Sequence, residues 1–448
     1  MADTDHINNS TNSQENQYVM PDYILELNAK HALVMVGGQC LIMTEMLEPI
    51  NGQPSIILSR VHELKTFYAN RPGPQGRNIV DSWLQHPQRR QYQGIVCNPE
   101  QDVEGYYNLW RGFAVEPIEG DCLLYLQHIQ DTIASGNEQL SSYILAWMAD
   151  AVQHPGQRPG VSLVLRGKQG VGKGVFVTQF GKLFGRHFKH LTRPRHLLGN
   201  FNAHLQDALI VFADEAFWVD TRQAAGALKT MVTEETLQIE PKGKDIYTVQ
   251  NHIRLMIASN AEWVVPAGLE ERRFCVVDVS EAHMQDTAYF QALVAQMDNG
   301  GREALLHHLL HLDIAGVNLR NFPKTSALYE MKLHSMTAIQ RFWFDKLWVG
   351  ALQGNASVLP NWRGHIACTV LLDEYLESLG KTAARSRSIE TLFGVELKKL
   401  MPPGFDRQRR PCPNGSRVWH YLMPPLDVCR QHFAHLMQMV EPWPSEEE

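Results

Sequence analysis

The residues best suited to chemistry lie in Val161 to Thr178, VSLVLRGKQGVGKGVFVT. An aliphatic, β-branched run over Val161 to Leu165 reads as a buried strand. It breaks into a glycine-rich turn that ends in Gly172-Lys173 and opens a helical pattern. Gly167, Gly170 and Gly172 permit backbone conformations closed to other residues, so several amides can converge on phosphate oxygens while the helix start adds partial positive charge. The cradle spans Gly167, Lys168, Gln169, Gly170, Val171, Gly172, Lys173, Gly174 and Val175, with Lys173 reaching the β- and γ-phosphates. In the pattern G-x-x-x-x-G-K-[ST], Gly174 stands where a hydroxyl usually helps hold Mg²⁺, so water is expected to replace it. From Ala151 to Gln206 there is no Asp or Glu, while Arg158, Arg166, Lys168, Lys173, Lys182, Arg186, Lys189, Arg193 and Arg195 all fall inside. Such a stretch suits a polyanion.

Three further segments complete a site of this kind. Ala208 to Asp214, ALIVFAD, is a second buried strand followed by Glu215; Asp214 would bind Mg²⁺ and Glu215 would orient and deprotonate the attacking water. Arg254 to Asn260, RLMIASN, is a third strand whose terminal Asn260 is placed to sense the γ-phosphate. A fourth strand, CVVDV, follows Glu271-Arg272-Arg273-Phe274, and an arginine pair at the edge of such a core can reach the nucleotide of a neighbouring subunit. Residues 224–250 read as a helix, a turn and a hairpin with Lys242 and Lys244 at its tip.

The ordered set GKQGVGKG, ALIVFADE, LKTMVTEETLQIEPKGK, LMIASN and ERRF resembles the superfamily 3 helicases of the AAA+ class, above all the helicase portions of phage and plasmid primase-helicases. The resemblance covers about two thirds of the chain. It implies an α/β AAA+ P-loop core and an ATP- and Mg²⁺-dependent DNA helicase that works as a hexameric ring on single-stranded or forked DNA. It places Lys173 on the phosphate-binding lysine, Asp214 and Glu215 on the acidic pair and Asn260 on the sensor. Arg272 or Arg273 falls on the trans arginine finger, and Lys242 and Lys244 on the channel-lining hairpin. A primase or replication initiator is a further implied partner. The alternative is a DNA-dependent ATPase used in packaging, integration or interference with competing phage. Residues 1–150 show no hydrophobic-flanked Asp-x-Asp with a downstream His, so a helicase without a primase is expected.

These motifs require elements to hold them. The chain has 448 residues, 44% hydrophobic and 20% charged, with net charge −7 and a pI near 6.3. That suits two to four globular domains and confines any nucleic-acid contact to patches. Seven scattered cysteines without C-x-x-C pairs read as reduced core residues, and no apolar run approaches a membrane span, so a cytoplasmic protein is expected, and the phage-type resemblance implies the cytoplasm of a bacterial host. The expected plan is a disordered tail (1–18), an N-terminal α+β region (19–120), a helical collar (121–154), the ATPase domain (155–320) and a C-terminal helical and winged-helix-like region (321–445).

Within the N-terminal region two strand-like runs, HALVMVGG and SIILSRV, flank a turn. The Trp, Tyr and Arg residues of 76–117 suit either base stacking or a packed aromatic subdomain. The Trp/Phe-rich stretch of 323–352 is expected to pack against the ATPase core. Arg407, Arg409 and Arg410 open a basic hairpin suited to a DNA-binding wing or to a solvated basic face. His307, His308 and His311 share helical spacing without the further ligands a metal needs.

Overall fold

The structure is a computed structural model that describes residues 20–49, 52–214, 222–241, 245–260, 272–353, 362–380, 387–411, 417–437 and 443. The chain forms two compact units, Met1–Arg111 and Gly112–Glu448.

In the first unit, helix Asp22–Lys30 feeds strand His31–Val36, and the sheet order is Pro54–Ser59, Gln39–Leu47, His31–Val36, Gln91–Tyr92. The two strand-like runs read from sequence are therefore not neighbours. Gln39–Leu47 lies between them, antiparallel to both. Leu41, Ile42 and Met43 are buried in succession, so this strand lacks the alternation that marks a half-exposed one. Ile24, Leu27, Ile42, Leu64 and Trp83 form the core. The aromatic and basic residues of 76–117 are largely consumed by packing. Trp83 is fully buried and donates to Asn28 Oδ1 at 2.8 Å; Arg90 pairs with Glu45 at 2.9 Å and lies over Tyr92 and Tyr107.

The second unit is built on five parallel strands, β1 (Ser162–Arg166), β2 (Phe188–Leu191), β3 (Ile210–Asp214), β4 (Arg254–Ser259) and β5 (Phe274–Asp278), in the order β5-β1-β4-β3-β2. Four consecutive residues are buried in each of β1, β3 and β5, and all six in β4, as expected for a parallel sheet covered on both faces. Val164, Val211, Ile257 and Val276 join Leu228 and Met231 of helix Arg222–Thr233 in the core. Ahead of the sheet, helix Leu123–Gln127 continues as a π-turn, His128–Ile133, and breaks at Ser135 and Gly136, both at positive φ, before helix Glu138–Gln153. Trp147 of that last helix is fully buried and donates to Val161 O at 2.9 Å.

The acid-free stretch is not a bare positive surface, because acids outside it answer it, one directly after its end and the others far along the chain. Arg166 bonds Asp278 and Glu330, Lys168 bonds Glu281, and Arg186 and Lys189 share Asp207. Arg158 donates to carbonyls at the end of helix Arg222–Thr233.

Helix Ser326–His334 joins the sheet to the C-terminal part. Ala327, Leu328 and Met331 belong to the sheet core, while Tyr329 and Leu333 pack on the next cluster. Helix Ala338–Val349 buries Phe342, Trp343, Phe344 and Leu347 in that second cluster and not against the five-stranded sheet as expected; Trp348 is 44% exposed. Strand His365–Ala367, helices Cys368–Ser378 and Arg387–Lys399, strands Asp406–Pro411 and Arg417–Leu422 and helix Leu426–Met437 complete it. Its three strands pair with Arg417–Leu422 in the centre.

Two histidines make the second unit acid-sensitive. His128 and His187 are fully buried, and desolvation pushes each down to about 4. Their folded values lie below the unfolded value near 6.5, so the stability they confer is complete above about pH 6.5 and falls as pH drops towards 4. Unfolding free energy is expected to decline by up to about 2.7 kcal/mol per pH unit near pH 5 from these two groups. Urea titrations at pH 7 and 5 measure this, and His187→Phe should flatten the decline.

Candidate functional site

The carboxyl ends of β1 and β4 are a switch point, since the chain leaves β1 towards β2 and leaves β4 back across β1 to β5. Ligands of open parallel sheets bind at such places. The turn after β1 runs into helix Lys173–Lys182, with Gly170 and Gly172 at φ 82° and 100°. Gly172 admits no side chain: a Cβ there would stand 2.5 Å from His128 Cε1 and 2.7 Å from Phe290 Cε1. Lys173 is 7% exposed, and its ammonium donates to Gly167 O at 2.5 Å, Lys168 O at 2.8 Å and Asn260 Oδ1 at 3.0 Å. Residues 87 apart in sequence thus meet at one point. Asp214, at the end of β3, lines the same cleft, and its carboxylate meets His190 Nε2 at 3.1 Å.

The cleft has a volume of about 870 Å³. One wall is the loop from Gln169 to Val175. The other is one face of helix Thr287–Gln296, where Thr287, Phe290, Gln291, Val294 and Ala295 recur at helical spacing and Asp298 follows. Gly174 opens onto empty space, with nothing within 4 Å of an added Cβ.

Sequence reasoning missed the groups that clamp this loop. His128 Nε2 lies 3.3 Å from Gly172 O and its Nδ1 3.2 Å from the Tyr289 hydroxyl. Gln285, at φ 62°, donates its backbone N–H to Gly170 O at 3.0 Å. The π-turn carrying His128 is a local signal of function, but it arises from one extra residue in a helix and has no sequence signature.

Other expected residues fall elsewhere. Arg272 is exposed and Arg273 half-buried, and both precede β5. They therefore lie at the amino end of the sheet, roughly 15 Å along the strand direction from the carboxyl ends. Glu215, Lys242 and Lys244 lie outside the described residues; strands Thr236–Ile239 and Tyr247–Gln250 do pair antiparallel, with Lys242 and Lys244 in the segment that joins them. In the C-terminal hairpin the strand register parts the three arginines. Arg407 and Arg409 face Tyr421 and Trp419, whereas Arg410 sits opposite Val418 on the other side. The rings of His307 and His311 lie 4.1 Å apart, tilted by 33°, and among the described residues no group of three metal-ligating side chains occurs. Cys40, Cys122, Cys275, Cys368 and Cys429 are free thiols. Among the described residues no helix is long and apolar enough to cross a membrane.

Comparison with known proteins places this geometry. The chain shares its fold with a phage protein. Two apo structures of the NrS-1 C-terminal region superpose with a TM-score of 0.67 each, over 90% of this chain and 98% and 99% of theirs, at 18% and 16% identity. The DNA primase-polymerase of Nitratiruptor phage NrS-1 is 33% identical over 138 residues, 30% of this chain. The match spans 19% of that curated relative's length. A family model described as a family of unknown function, DUF5906, matches residues 165–273, the segment from the end of β1 to the start of β5.

Proposed function

We propose that this chain is an ATP-driven DNA helicase of the superfamily 3, AAA+ type, moving along single-stranded DNA in phage replication. The observation that carries the reading is the convergence of Lys173, Asn260 and Asp214 from three strand ends on one cleft beside a glycine turn. The strand order β5-β1-β4-β3-β2, with the loop after β1 and the acid Asp214 at the end of β3, supports it, as does similarity to a phage DNA primase-polymerase. The fit to a nucleoside triphosphate is chemical: a nearly buried ammonium, first-turn amides that a helix cannot satisfy itself, and a carboxylate, Asp214, in the lining of the same cleft.

In this reading residues 155–320 form the ATPase domain between the collar (121–154) and a winged-helix-like DNA-binding region (321–445). Lys173 and the amides of 170–174 hold the β- and γ-phosphates. Asp214 holds Mg²⁺, which when bound neutralises charge building on the phosphates. Glu215 takes the proton of the attacking water and Asn260 orients it. Arg272 or Arg273, remote from their own cleft, serves that of the next copy in a hexameric ring. Lys242 and Lys244 grip the DNA backbone, and Arg407, Arg409 and Arg410 add phosphate contacts. The host cytoplasm is the compartment this work requires.

Gly174 gives a direct test of the metal's place. The open space beside it accepts a hydroxymethyl group, so Gly174→Ser is expected to lower the Mg²⁺ concentration for half-maximal hydrolysis about fivefold, the worth of one added interaction near 1 kcal/mol. The overall function is tested by strand displacement on forked DNA with ATP. Separation of strands supports the helicase, whereas DNA-stimulated hydrolysis without separation assigns the motor to packaging, integration or interference.

A further inference from the structure

The C-terminal hairpin carries an aromatic side chain that phosphate contact alone does not explain. Trp419, central in strand Arg417–Leu422, is 41% exposed. The guanidinium groups of Arg407 and Arg409 lie 4.6 and 5.3 Å from its ring centroid. A large indole left at the surface between two cations is costly to hydrate and combines a π-face with positive charge. Beside it, a groove of about 500 Å³ runs between this hairpin and helix Arg387–Lys399; Arg407, Lys398, Val395 and Phe405 line it, with the acids Glu390 and Asp406 also in its wall.

The helix itself narrows the choice of ligand. Its exposed stripe reads Ser388, Thr391, Leu392, Val395 and Lys398, with Leu392 at 64% and Val395 at 51% exposure. Bidentate readout of base edges in a duplex major groove rests on Arg, Lys, Asn or Gln, and this stripe offers one such residue, Lys398, at its end, while its centre, Leu392 and Val395, is apolar. Unpaired bases need the opposite: aromatic and apolar surface for their faces and cations for the backbone between them. We infer that the face formed by Trp419, Arg407 and Arg409, with Val395 across the groove, is a stacking site for unpaired bases of single-stranded DNA, with Trp419 as its platform. The inference rests on the reading that the chain works on DNA, and it is independent of ATP turnover.

The test is binding of the full chain, without nucleotide, to a fluorescent oligothymidylate and to a duplex of equal length at fixed salt. Trp419→Ala is expected to weaken single-strand binding about tenfold, Trp419→Phe to restore most of it, and duplex binding to change less than twofold. An oligomer carrying 5-iodouracil is expected to crosslink to Trp419, located by mass spectrometry. Unchanged single-strand affinity in Trp419→Ala would leave an intramolecular cation–π cluster only and overturn the proposal. Equal losses on single strand and duplex would also overturn it, in favour of a duplex wing. If the wild-type chain binds no DNA, the DNA reading itself falls; if it binds and only Trp419 is silent, that reading stands.

Discussion

Replacing Lys173 by methionine is expected to cut ATP turnover by roughly two to three orders of magnitude, the range for losing one preorganised charge that faces a developing anion. Methionine keeps the buried stem, so the effect isolates the ammonium. That ammonium is held by Gly167 O, Lys168 O and Asn260 Oδ1, which fix it at the mouth of the loop before any ligand arrives. Steady-state phosphate release measures the loss, with thermal unfolding as the control that the fold survives. Turnover within threefold of wild type would remove Lys173 from the chemistry.

The second large effect concerns the frame that carries the site. Arg254 opens β4 with its side chain 1% exposed, and it bonds Asp150 Oδ2 at 2.9 Å, His154 O at 2.8 Å and Asp150 O at 3.2 Å. Burial lowers its guanidinium below the ordinary value, and Asp150 opposes that. Asp150→Ala would leave a buried cation without its anion, and a cost of about 3 kcal/mol is expected in urea unfolding. Adding Arg254→Met removes the charge and should recover part of that loss, so the two changes are not additive. A loss below about 1 kcal/mol would mean that the backbone carbonyls alone satisfy Arg254.

The core of the candidate site was legible because each of its residues ends a strong local pattern. A buried strand runs into Gly172-Lys173, another into Asp214 and a third into Asn260, so order along the chain stood in for position in space. The structure begins β1 one residue later than the pattern read, at Ser162, without moving these ends. What was not legible depends on contacts between distant segments. His128 reaches Gly172 across 44 residues and Gln285 reaches Gly170 across more than a hundred. The positive stretch looked bare because Asp207, Asp278, Glu281 and Glu330, which answer it, lie outside its window. Strand Gln39–Leu47 was missed because burial on both faces erased its period, and the Trp/Phe-rich helix was assigned to the wrong core because an apolar face does not name its partner.

The most direct measurement is a structure of the chain with a non-hydrolysable ATP analogue and Mg²⁺. The predicted result has the β-phosphate within about 3 Å of the amides of 170–174 and of Lys173 Nζ, and the metal joined to Asp214 directly or through one water. An analogue bound away from this cleft, or a cleft in which Asp214 faces no metal, would contradict it.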